Sequence, residues 1–538
     1  MAKKQEIELK LLVSRSTLVR LARWTPPEGW VISPLRQRQL SAVYYDTPDC
    51  RLQRKGFALR VRRSRKTLKR TIKFGRAIEN GLSQPSEYED IVDSLAPAIE
   101  TITDRKLKSR ILRALDGAEP EVIFENRIRR NSRIVEVPDC GIVELAMDNG
   151  EVYTPNARTT VTELEIELQS GEPYVILSVA EALMYGVTFA PSATSKAGTG
   201  YALLAENSEN TADRTNLVTQ PAGISPAKPK LNDRMTGAEG LGEIGRTAAQ
   251  QIIMAMNGCL ETDDAEQPHR LRVGLRRLRT ALRLFRPFAG TPAMRGLADD
   301  ARDLGRIVGD VRDADVLIDD VIAPAARASA ITRDAEWGLI SVVDAHRLRK
   351  RLAMRKSLRG TRWNTLRLNA FLFDYAVARA NAEAANELAE TELSRIAPKM
   401  LAKCWRRVRK WGDAIDRLDV EERHEMRKAM KELRYATEFF APLLPGSGAF
   451  LKRLKRLQDI FGYLNDVTLT GRLEQIVRAS ARRRPQPDGF EPAAMKRATK
   501  EIHQWHIERA DAAWHDAKHR WIELCANTPD WLQAGGVR

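Results

Sequence analysis

The sequence predicts a multidomain α+β chain in which a sheet domain precedes a large all-α domain. Up to about Glu206, charged and apolar residues alternate with period 2 in several short runs, as they do in strands. Beyond about Gly237 the apolar residues have helical spacing instead, and the segment between is rich in Asn, Thr, Pro, Ala and Lys. We therefore expect a first domain over residues 1–206, a linker over 207–235 and a helical domain over 236–530.

In the first domain, the alternating runs place like charges on one face of each strand. Arg60 and Arg62 share one face, and Glu163, Glu165 and Glu167 share another. A charged strand face is normally the solvent-facing side of a sheet. Here several strands each carry charges of a single sign on one face. This favours a different arrangement, a closed barrel whose interior has an acidic wall opposite a basic wall. Because carboxylates suit hard divalent cations and arginines suit phosphate oxygens, this pattern predicts a site for a metal-bound polyphosphate.

The helical domain contains an internal duplication. His269–Arg279 aligns without gaps on His424–Arg434, at a constant offset of 155 residues. A second match follows each copy at an offset of 153 residues, where Gly309 corresponds to Gly462. Two landmarks at nearly the same spacing predict two related bundles that face each other across a pseudo-twofold axis.

Each copy of the repeat begins with a histidine and carries a stripe of basic residues. The residues recur at spacings of three and four, which places them along one side of a helix beside a stripe of leucines. From Arg270 to Arg286 there are seven arginines and no acid. One basic stripe is usually a solvated face, but two repeat-related stripes favour a paired anion-binding groove. The candidate groove residues are His269, Arg272, Arg276, Arg279, Arg283, His424, Arg427, Lys431 and Arg434.

The overall charge also indicates an anionic partner. The chain has 88 Lys+Arg against 71 Asp+Glu, a formal charge of +17, and residues 1–206 account for only +4 of it. No apolar run is long enough for a transmembrane helix, and no signal-peptide core is visible. The five cysteines are scattered and form no C-x-x-C pair, which favours a reducing compartment. We expect a cytoplasmic protein with no membrane partner.

Several motifs of the first domain, in this order, resemble the CYTH, or triphosphate tunnel metalloenzyme, superfamily. They are Glu6–Lys10, an E-x-E-x-K signature, followed by Tyr44–Pro48, Gly56–Arg62, Glu163–Glu167 and Ser195–Lys196. The resemblance covers about residues 1–205. It implies an eight-stranded antiparallel β-tunnel that hydrolyses or rearranges triphosphate compounds with a divalent metal, here Mg²⁺ or Mn²⁺.

The same resemblance implies roles for individual residues. Glu6, Glu8 and Lys10 are the catalytic candidates, and Arg129 is an alternative to Arg127 where the alignment slips. The implied chemistry is metal-assisted transfer of a phosphoryl group to water, with the basic wall holding the phosphate chain in line. The implied metal-binding residues are Glu6, Glu8, Asp148, Glu163, Glu165 and Glu167. The implied substrate-binding residues are Lys10, Arg60, Arg62, Lys73, Arg127 or Arg129, and Lys196.

One departure from the pattern of that superfamily concerns the basic wall. Many relatives have an arginine just before the acidic strand that follows Gly81, whereas here Pro85 or one of its neighbours stands there. One substrate contact is therefore expected to be missing, and the rate or the chain-length preference is expected to differ accordingly.

The helical domain resembles the CHAD domain over about residues 236–530. The H-x-x-R patterns that begin at His269 and His424 carry the resemblance, together with Arg312–Val316 and Leu464–Asp466. CHAD domains are associated with binding inorganic polyphosphate and often follow a CYTH domain in one chain. The resemblance therefore implies polyphosphate as a partner, with association to polyphosphate granules.

Three functional hypotheses follow. The leading one is an inorganic triphosphatase whose helical domain binds polyphosphate. The alternative is a non-catalytic polyphosphate-binding or granule-associated protein with a degenerate tunnel. Nucleic-acid binding by the basic helices ranks third, because few aromatic residues accompany them for base stacking. Cyclisation of ATP or hydrolysis of thiamine triphosphate would use the same two walls, and no base-recognition pocket in the sequence decides between them.

Overall fold

The computed structural model describes residues 7–64, 67–75, 82–192, 194–206, 228–384, 386–482 and 491–533. The chain divides into two compact units. The first unit is Met1–Ser225 together with Arg367–Tyr375, and the second is Pro226–Leu366 together with Ala376–Arg538. The short segment Arg367–Tyr375 lies within the predicted helical domain in sequence, yet it groups with the first unit, where Asn369 Nδ2 donates to Glu181 Oε1 at 2.6 Å.

The first unit is built on one curled antiparallel sheet, in agreement with the predicted fold class. Its strand order is β11-β1-β10-β9-β8-β3-β4-β5-β7, with β2 paired to β8 and β6 paired to β1. The sheet has eleven strands among the described residues instead of the implied eight. Besides eight longer strands it contains three short ones, β2, β6 and β11, of two residues each. The strands are β1 (Glu8–Leu12), β2 (Val31–Ile32), β3 (Arg36–Asp46), β4 (Phe57–Ser64), β5 (Thr67–Phe74), β6 (Leu82–Ser83), β7 (Ser86–Val92), β8 (Glu121–Val137), β9 (Gly141–Tyr153), β10 (Arg158–Gly171) and β11 (Ala190–Pro191).

The sheet closes into a tunnel through the segment that contains β6 and β7. β6 pairs with β1 at one side of the sheet, whereas β7 pairs with β5 at the other. Only Gln84 and Pro85 separate these two strands, so the chain between Ser83 and Ser86 spans at most about 10 Å. The two sides of the sheet must therefore lie close together, and Pro85 stands at the junction, where its missing N–H costs no ladder hydrogen bond.

Two hydrophobic clusters determine which strand faces point inward. On the outer face, helix α3 (Arg105–Leu115) packs Leu107 and Ile111 against Leu59, Val61 and Ile72. Since neighbouring residues of a strand point to opposite faces, the charged residues between these apolar ones point into the tunnel.

An inner cluster fills part of the interior with aromatic rings. Tyr44 stacks on Phe124 at a centroid distance of 4.5 Å, and Tyr201 packs edge-on against Phe124 at 5.3 Å. The Tyr201 hydroxyl donates to Asp46 Oδ2 at 2.8 Å. The remaining helices of this part of the chain are α1 (Arg15–Ala22), α2 (Arg51–Arg54), α4 (Val175–Leu183) and α5 (Lys196–Glu206).

From residue 228 onward, the regular structure is helical, as the spacing of apolar residues predicts. Two of the long helices begin with capping boxes, in which Thr236 pairs with Glu239 and Asp419 with Glu422. The helices are α6 (Gly237–Glu261), α7 (Glu266–Leu284), α8 (Arg286–Ala289), α9 (Pro292–Val316), α10 (Ala323–Arg327), α11 (Arg333–Arg359), α12 (Asn364–Phe371), α13 (Phe373–Ala384), α14 (Glu387–Glu390), α15 (Leu393–Gly412), α16 (Val420–Phe440), α17 (Ser447–Ala481), α18 (Pro492–Ala526) and α19 (Asp530–Gln533).

The two copies of the repeat lie on equivalent helices. The first landmark lies on α7 and α16, and the second lies on α9 and α17. Phe285 and Phe440, which the 155-residue offset makes equivalent, pack against each other with ring centroids 6.1 Å apart. Contact between equivalent residues is what a pseudo-twofold axis requires of residues that lie beside it. No helix among the residues that the structure describes is both long enough and apolar enough to cross a membrane.

Candidate functional site

The acidic side of the tunnel is built on three adjacent strands. In the sheet register, Glu165 on β10 lies opposite Lys10 on β1, and Glu163 on β10 lies opposite Asp148 on β9. Residues two apart on a strand share a face, so these four side chains and Glu8 point to the same side of the sheet. Each of the five residues is at most 6% exposed. The structure thus brings five of the predicted site residues together.

Three cations lie among these carboxylates. They are Lys10, Lys196 at the start of α5, and Arg130 on β8. Arg130 donates through Nε and Nη2 to the two oxygens of Asp148, at 2.7 and 2.6 Å, which is a bidentate pair. The contacts of 2.9 Å or less in this network are Lys10 with Glu8 and Glu165, Lys196 with Asp148, Glu163 and Glu165, and Arg130 with Asp148 and Glu165.

The close pairing controls the protonation of the network. Burial by itself would raise the pKa of the Glu165 carboxyl, but the charges of Lys10, Lys196 and Arg130 outweigh it and hold that pKa well below its usual value. Burial likewise would lower the pKa of the Lys10 ammonium, whereas the charges of Glu165 and Glu8 raise it above its usual value. Both partners are therefore charged near neutral pH.

The basic side of the tunnel lies on β4 and β5. Arg60, Arg62 and Lys73 alternate with residues that pack outward, so their side chains point inward, as predicted. The Arg60 guanidinium Nη1 donates to the Tyr44 hydroxyl at 3.4 Å. Burial, followed by the charges of Arg60 and Arg130, lowers the pKa of Arg62. Because the charge of Arg130 contributes to the lowered pKa of Arg62, the basic side adjoins the acidic network at Arg130.

The structure corrects the prediction for Arg127 and Arg129. Both are exposed and occupy alternate positions on β8 with the face opposite to that of Arg130. Arg127 lies over the ring of Tyr153, with its Cζ 5.1 Å from the ring centroid. The neighbouring Arg130 is the arginine of this stretch that points into the tunnel. An alignment uncertain by one residue in a strand cannot tell one face from the other.

One further predicted residue, Glu167, and one unpredicted residue, Glu89, also belong to the tunnel. Glu167 lies opposite Glu8 in the register of β10 and β1. Glu6 lies outside the described residues. On β7, the unpredicted Glu89 accepts from Arg62 Nη2 at 3.1 Å and from Lys69 Nζ at 2.8 Å, so an acid stands on the basic side. The alternation of Glu87 and Glu89 along β7 is the sequence signal that could have indicated it.

The acidic residues fit a hard divalent cation in the chemistry of their donors. Glu8, Asp148, Glu163 and Glu165 supply only oxygen atoms, which Mg²⁺ and Mn²⁺ prefer. Among the residues that the structure describes, however, no group of three or more His, Cys, Asp or Glu side chains is arranged as a metal site. The buried carboxylates are paired with lysine and arginine instead, and these pairs must rearrange for a metal to reach them.

The second unit contains a basic cleft of about 600 Å³. Helix α9 lines the cleft partly through Gly305 and Gly309, which have no side chains, and α7 and α16 line it through their side chains. The predicted groove residues that line the cleft are Arg272, Arg276, Arg279 and His424. The other lining residues are Leu275, Ala301, Arg302, Gly305, Arg306, Gly309, Asp310, Asp313 and Lys428.

The cations that line this cleft or lie beside it differ in how far acids compensate them. Arg272 pairs with Asp313 at 3.1 Å, and Arg302, Arg306 and Lys428 also contact acids. Arg276, which lines the cleft, and Lys431, which lies beside it, have other cations as their nearest charges.

Burial, and next the charge of Arg272, lowers the pKa of Arg276 to about 10. Burial, and next the charges of Arg276 and Arg427, lowers the pKa of Lys431 to about 6. For His269, burial and neighbouring arginines outweigh Glu266 and lower the pKa. Because burial and neighbouring cations disfavour the charged forms of these side chains, an anionic ligand bound among them would be stabilising.

A glycine accommodates an arginine in each copy of the repeat. A Cβ atom on Gly309 would lie 3.6 Å from Cζ of Arg272, and a Cβ atom on Gly462 would lie 3.9 Å from Nη2 of Arg427. Arg272 and Arg427 are equivalent under the 155-residue offset, as Gly309 and Gly462 are under the 153-residue offset. The guanidinium groups therefore lie across α9 and α17 at positions where a larger side chain would displace them.

Not every predicted groove residue lines the cleft. Arg283 lines a second, smaller cleft of about 230 Å³ and pairs with Glu432 at 2.7 Å. Arg434 contacts Glu438 at 3.6 Å. Conversely, the sequence reasoning missed Arg302 and Arg306 of α9. Their spacing of four residues, in register with Gly305 and Gly309, was the available signal. The other predicted groove residues that do not line the cleft are His269, Arg427 and Lys431.

Comparisons with known proteins agree with this architecture. A family model for the CYTH domain matches residues 4–191, and one for the CHAD domain matches residues 243–475. An inorganic triphosphatase of Haemophilus influenzae is 29% identical over 202 residues, which are 37% of this chain. The match spans 55% of that relative's length.

Two solved structures are also similar to parts of the chain. The CHAD domain from the plant Ricinus communis is 25% identical and covers 59% of this chain and 98% of its own, with a TM-score of 0.42. A Hippeastrum protein, described as an adenylyl cyclase with a dominant triphosphatase activity, is 23% identical and covers 36% of this chain and 92% of its own, with a TM-score of 0.26. The curled sheet lies within the residues that match the CYTH model, and the repeated helices carry the motifs within the residues that match the CHAD model, so the chain has a CYTH domain followed by a CHAD domain.

Proposed function

We propose that this protein is a metal-dependent inorganic triphosphatase whose helical domain binds polyphosphate. In this proposal residues 1–206 form the catalytic tunnel, 207–235 the linker and 236–530 the polyphosphate-binding domain. Inorganic triphosphate is the proposed substrate of the tunnel. The protein is proposed to act in the cytoplasm, in association with polyphosphate granules.

One observation carries the proposal for the tunnel. A single enclosed interior holds a cationic side, with Arg60, Arg62 and Lys73, and a carboxylate side centred on Glu165. Arg130 adjoins both sides, because it contacts Glu165 and its charge lowers the pKa of Arg62. A linear polyanion with bound cations needs this combination of basic groups for its oxygens and acidic groups for its counter-ions.

The roles of the residues follow from these positions. Arg60, Arg62 and Lys73 would hold the phosphate chain and stabilise negative charge on the phosphoryl group as it is transferred to water. Arg130 and Lys196 would hold oxygens of the same chain once they exchange a carboxylate for a phosphate. Lys10, fixed between Glu8 and Glu165, would keep the acidic side oriented while the ligand is bound.

CYTH enzymes use divalent metals, and we propose Mg²⁺ or Mn²⁺ for this one. Glu8, Asp148, Glu163 and Glu165 would hold the metal, together with the predicted residues Glu6 and Glu167. When bound, a divalent ion supplies Lewis-acid neutralisation of phosphate charge and lowers the pKa of a coordinated water.

The test is phosphate release from tripolyphosphate with Mg²⁺ or Mn²⁺, using the wild type and Glu8→Gln. We expect activity to fall at least about 100-fold in the variant, because a carboxylate of the acidic side is lost. Glu151→Gln is the matched control, since it removes one carboxylate from the exposed outer face of β9. Equal rates for wild type and Glu8→Gln would contradict the enzymatic proposal. ATP and thiamine triphosphate, supplied in the same assay, define the substrate range.

The ion-paired acids favour a second candidate function, a non-catalytic polyphosphate-binding protein with a degenerate tunnel. Lys10, Arg130 and Lys196 neutralise Asp148, Glu163 and Glu165 within 3 Å, as they would in a tunnel that takes up no metal. This candidate predicts polyphosphate binding without phosphate release at any concentration of Mg²⁺ or Mn²⁺. Duplex DNA as a competitor of polyphosphate separates both candidates from nucleic-acid binding.

A further inference from the structure

The basic side of the tunnel contains a carboxylate that engages two of its cations. Glu89 lies on β7, opposite Thr71 of β5 in the register. Its Oε1 accepts from Arg62 Nη2 at 3.1 Å, and its Oε2 accepts from Lys69 Nζ at 2.8 Å. The Thr71 hydroxyl lies 3.4 Å from Oε1. Both oxygens of Glu89 are therefore directed at groups that would otherwise face a ligand.

The groups around Glu89 favour the ionised form of its carboxyl. Burial would raise the pKa of this carboxyl, but the hydrogen bond from Lys69 and the charges of Arg62, Lys69 and Arg60 outweigh it and lower the pKa. The side chain is 32% exposed, so it can move aside without breaking the packing of the sheet. Arg62, in turn, has Arg60 and Arg130 as cationic neighbours, and the charge of Glu89 partly compensates them.

We propose that Glu89 is a specificity-determining residue, an internal anion that competes with the ligand's phosphate groups for Arg62 and Lys69. This inference rests on the proposed function of the tunnel. In the empty tunnel Glu89 compensates the two cations. When a phosphate chain enters, its oxygens replace the carboxylate, and when the product leaves, the carboxylate returns.

The exchange has a consequence for selectivity among anions. The repulsion between Glu89 and a bound ligand grows with the charge of the ligand. Glu89 therefore weakens the binding of tripolyphosphate more than that of pyrophosphate, and that of pyrophosphate more than that of orthophosphate. The same repulsion speeds the departure of charged products.

The test is calorimetric titration of the full chain with tripolyphosphate, pyrophosphate and orthophosphate in EDTA, where no metal-assisted hydrolysis occurs. Arg272→Gln and Arg276→Gln are included in every protein tested, so that the helical cleft contributes little to the signal. For Glu89→Gln we expect the Kd of tripolyphosphate to fall about tenfold and that of orthophosphate about twofold. Glu89→Asp, which keeps the charge, should stay within about threefold of the unsubstituted tunnel. Glu151→Gln, on the outer face, should leave all three Kd values unchanged.

The outcomes separate this inference from the proposed function. If tripolyphosphate binds the unsubstituted tunnel, and Glu89→Gln binds it no more tightly than Glu151→Gln does, the inference is wrong and the proposed function stands. Weaker binding by Glu89→Gln, or a higher Mg²⁺ requirement in the hydrolysis assay, would instead identify Glu89 as a positioning residue or a metal ligand. If the unsubstituted tunnel neither binds nor hydrolyses tripolyphosphate, the proposed function fails and this inference fails with it.

Discussion

The tunnel and the helical cleft are both rich in cations, but they compensate them in opposite ways. In the tunnel, Lys10 and Lys196 lie within 3 Å of carboxylates, and those charges overcome burial and raise the pKa of each ammonium. At the cleft, burial and neighbouring arginines lower the pKa of Arg276, which lines it, to about 10 and that of Lys431, which lies beside it, to about 6. The acids of the tunnel hold these lysines in their charged form, whereas Arg276 and Lys431 have other cations as their nearest charges and would gain from an anionic ligand.

The difference separates two ways of binding a phosphate chain. A region of paired charges must exchange an internal carboxylate for each phosphate it takes up, which favours selection among ligands. A region in which buried cations such as Arg276 and Lys431 lie among other cations is destabilised while empty and gains stability when any polyanion binds, which favours capture. The near-neutral net charge of residues 1–206 and the excess in the remainder of the chain express the same contrast.

The largest expected effect comes from breaking the paired charges of the tunnel. Glu165→Gln removes a buried carboxylate that contacts Lys10, Arg130 and Lys196. We expect the free energy of unfolding of the first unit to fall by about 2–3 kcal/mol, because buried cations lose a partner. Phosphate release from tripolyphosphate should fall at least about 100-fold in the same variant. Urea unfolding and a phosphate-release assay measure the two effects.

The control for this prediction is Glu151→Gln on the outer face of the same sheet, which removes the same charge from an exposed position. Its stability and activity should match those of the wild type. An unchanged stability in Glu165→Gln would show that the buried ion pairs contribute nothing, and the contrast with the cleft would then fail.

Lys431 should show the opposite sign of effect. Lys431→Met removes a largely buried amine whose pKa, about 6, is lowered by burial and by neighbouring arginines, so at pH 7 folding has to remove its proton. Without that cost, we expect the second unit to gain about 1–2 kcal/mol of stability at pH 7. In the same variant polyphosphate affinity should fall about threefold at pH 6. Urea unfolding measures the gain, and a loss of stability would contradict the description of Lys431 as a buried amine that lies among cations.

The wild-type cleft should also bind polyphosphate in a pH-dependent way. Lys431 lies beside Arg276 and Arg272 of the cleft and has a pKa of about 6, and a polyanion bound in the cleft raises this pKa because the anion favours the charged form. Binding above pH 6 therefore takes up a proton, and affinity falls as the pH rises from 6 to 8. Calorimetry in two buffers of different ionisation enthalpy counts the proton. Lys431→Met should lose this proton uptake. Lys428 lines the cleft and contacts Glu425 at 2.6 Å, so the control variant Lys428→Gln should keep the uptake.

The smallest expected effect sharpens the role of the repeat. Gly309→Leu places a branched side chain against the guanidinium of Arg272, and we expect polyphosphate affinity to fall about threefold as that group is displaced. Gly309→Ala, whose Cβ atom would make an ordinary contact at 3.6 Å, should bind as the wild type does. Fluorescence competition with a labelled polyphosphate measures both. Equal affinities for the Leu and Ala variants would contradict the statement that Gly309 leaves room for the guanidinium of Arg272.

Much of the fold was predictable because its signals are local in the sequence. The period-2 runs around Glu8 and Arg60 identify strands, and the change to helical spacing near Gly237 identifies the second type of structure. The offset between His269 and His424 identifies the duplication, which the contact between Phe285 and its equivalent supports. Each of these depends only on spacing along the chain.

The inward-facing residues of the tunnel were predictable where a motif fixed the phase of alternation, and not elsewhere. Arg60 and Arg62 face inward as predicted, since their strand has an unambiguous motif. On β8 the phase was open by one residue, so the prediction named Arg127 and Arg129, whereas the arginine that points into the tunnel is Arg130. A shift of one residue moves a side chain from one face of a sheet to the other.

By itself, the sequence determined the two kinds of structure, their order, the duplication and the sets of charged residues that share a strand face or a helix stripe. Only the tertiary structure decided which of those charges compensate each other. It paired Lys10 and Lys196 with the acids, put Glu89 beside Arg62, and left Lys431 among arginines. The reason is that ion pairs form between strands and helices far apart in the chain, and their distances depend on register and packing, which no local spacing records.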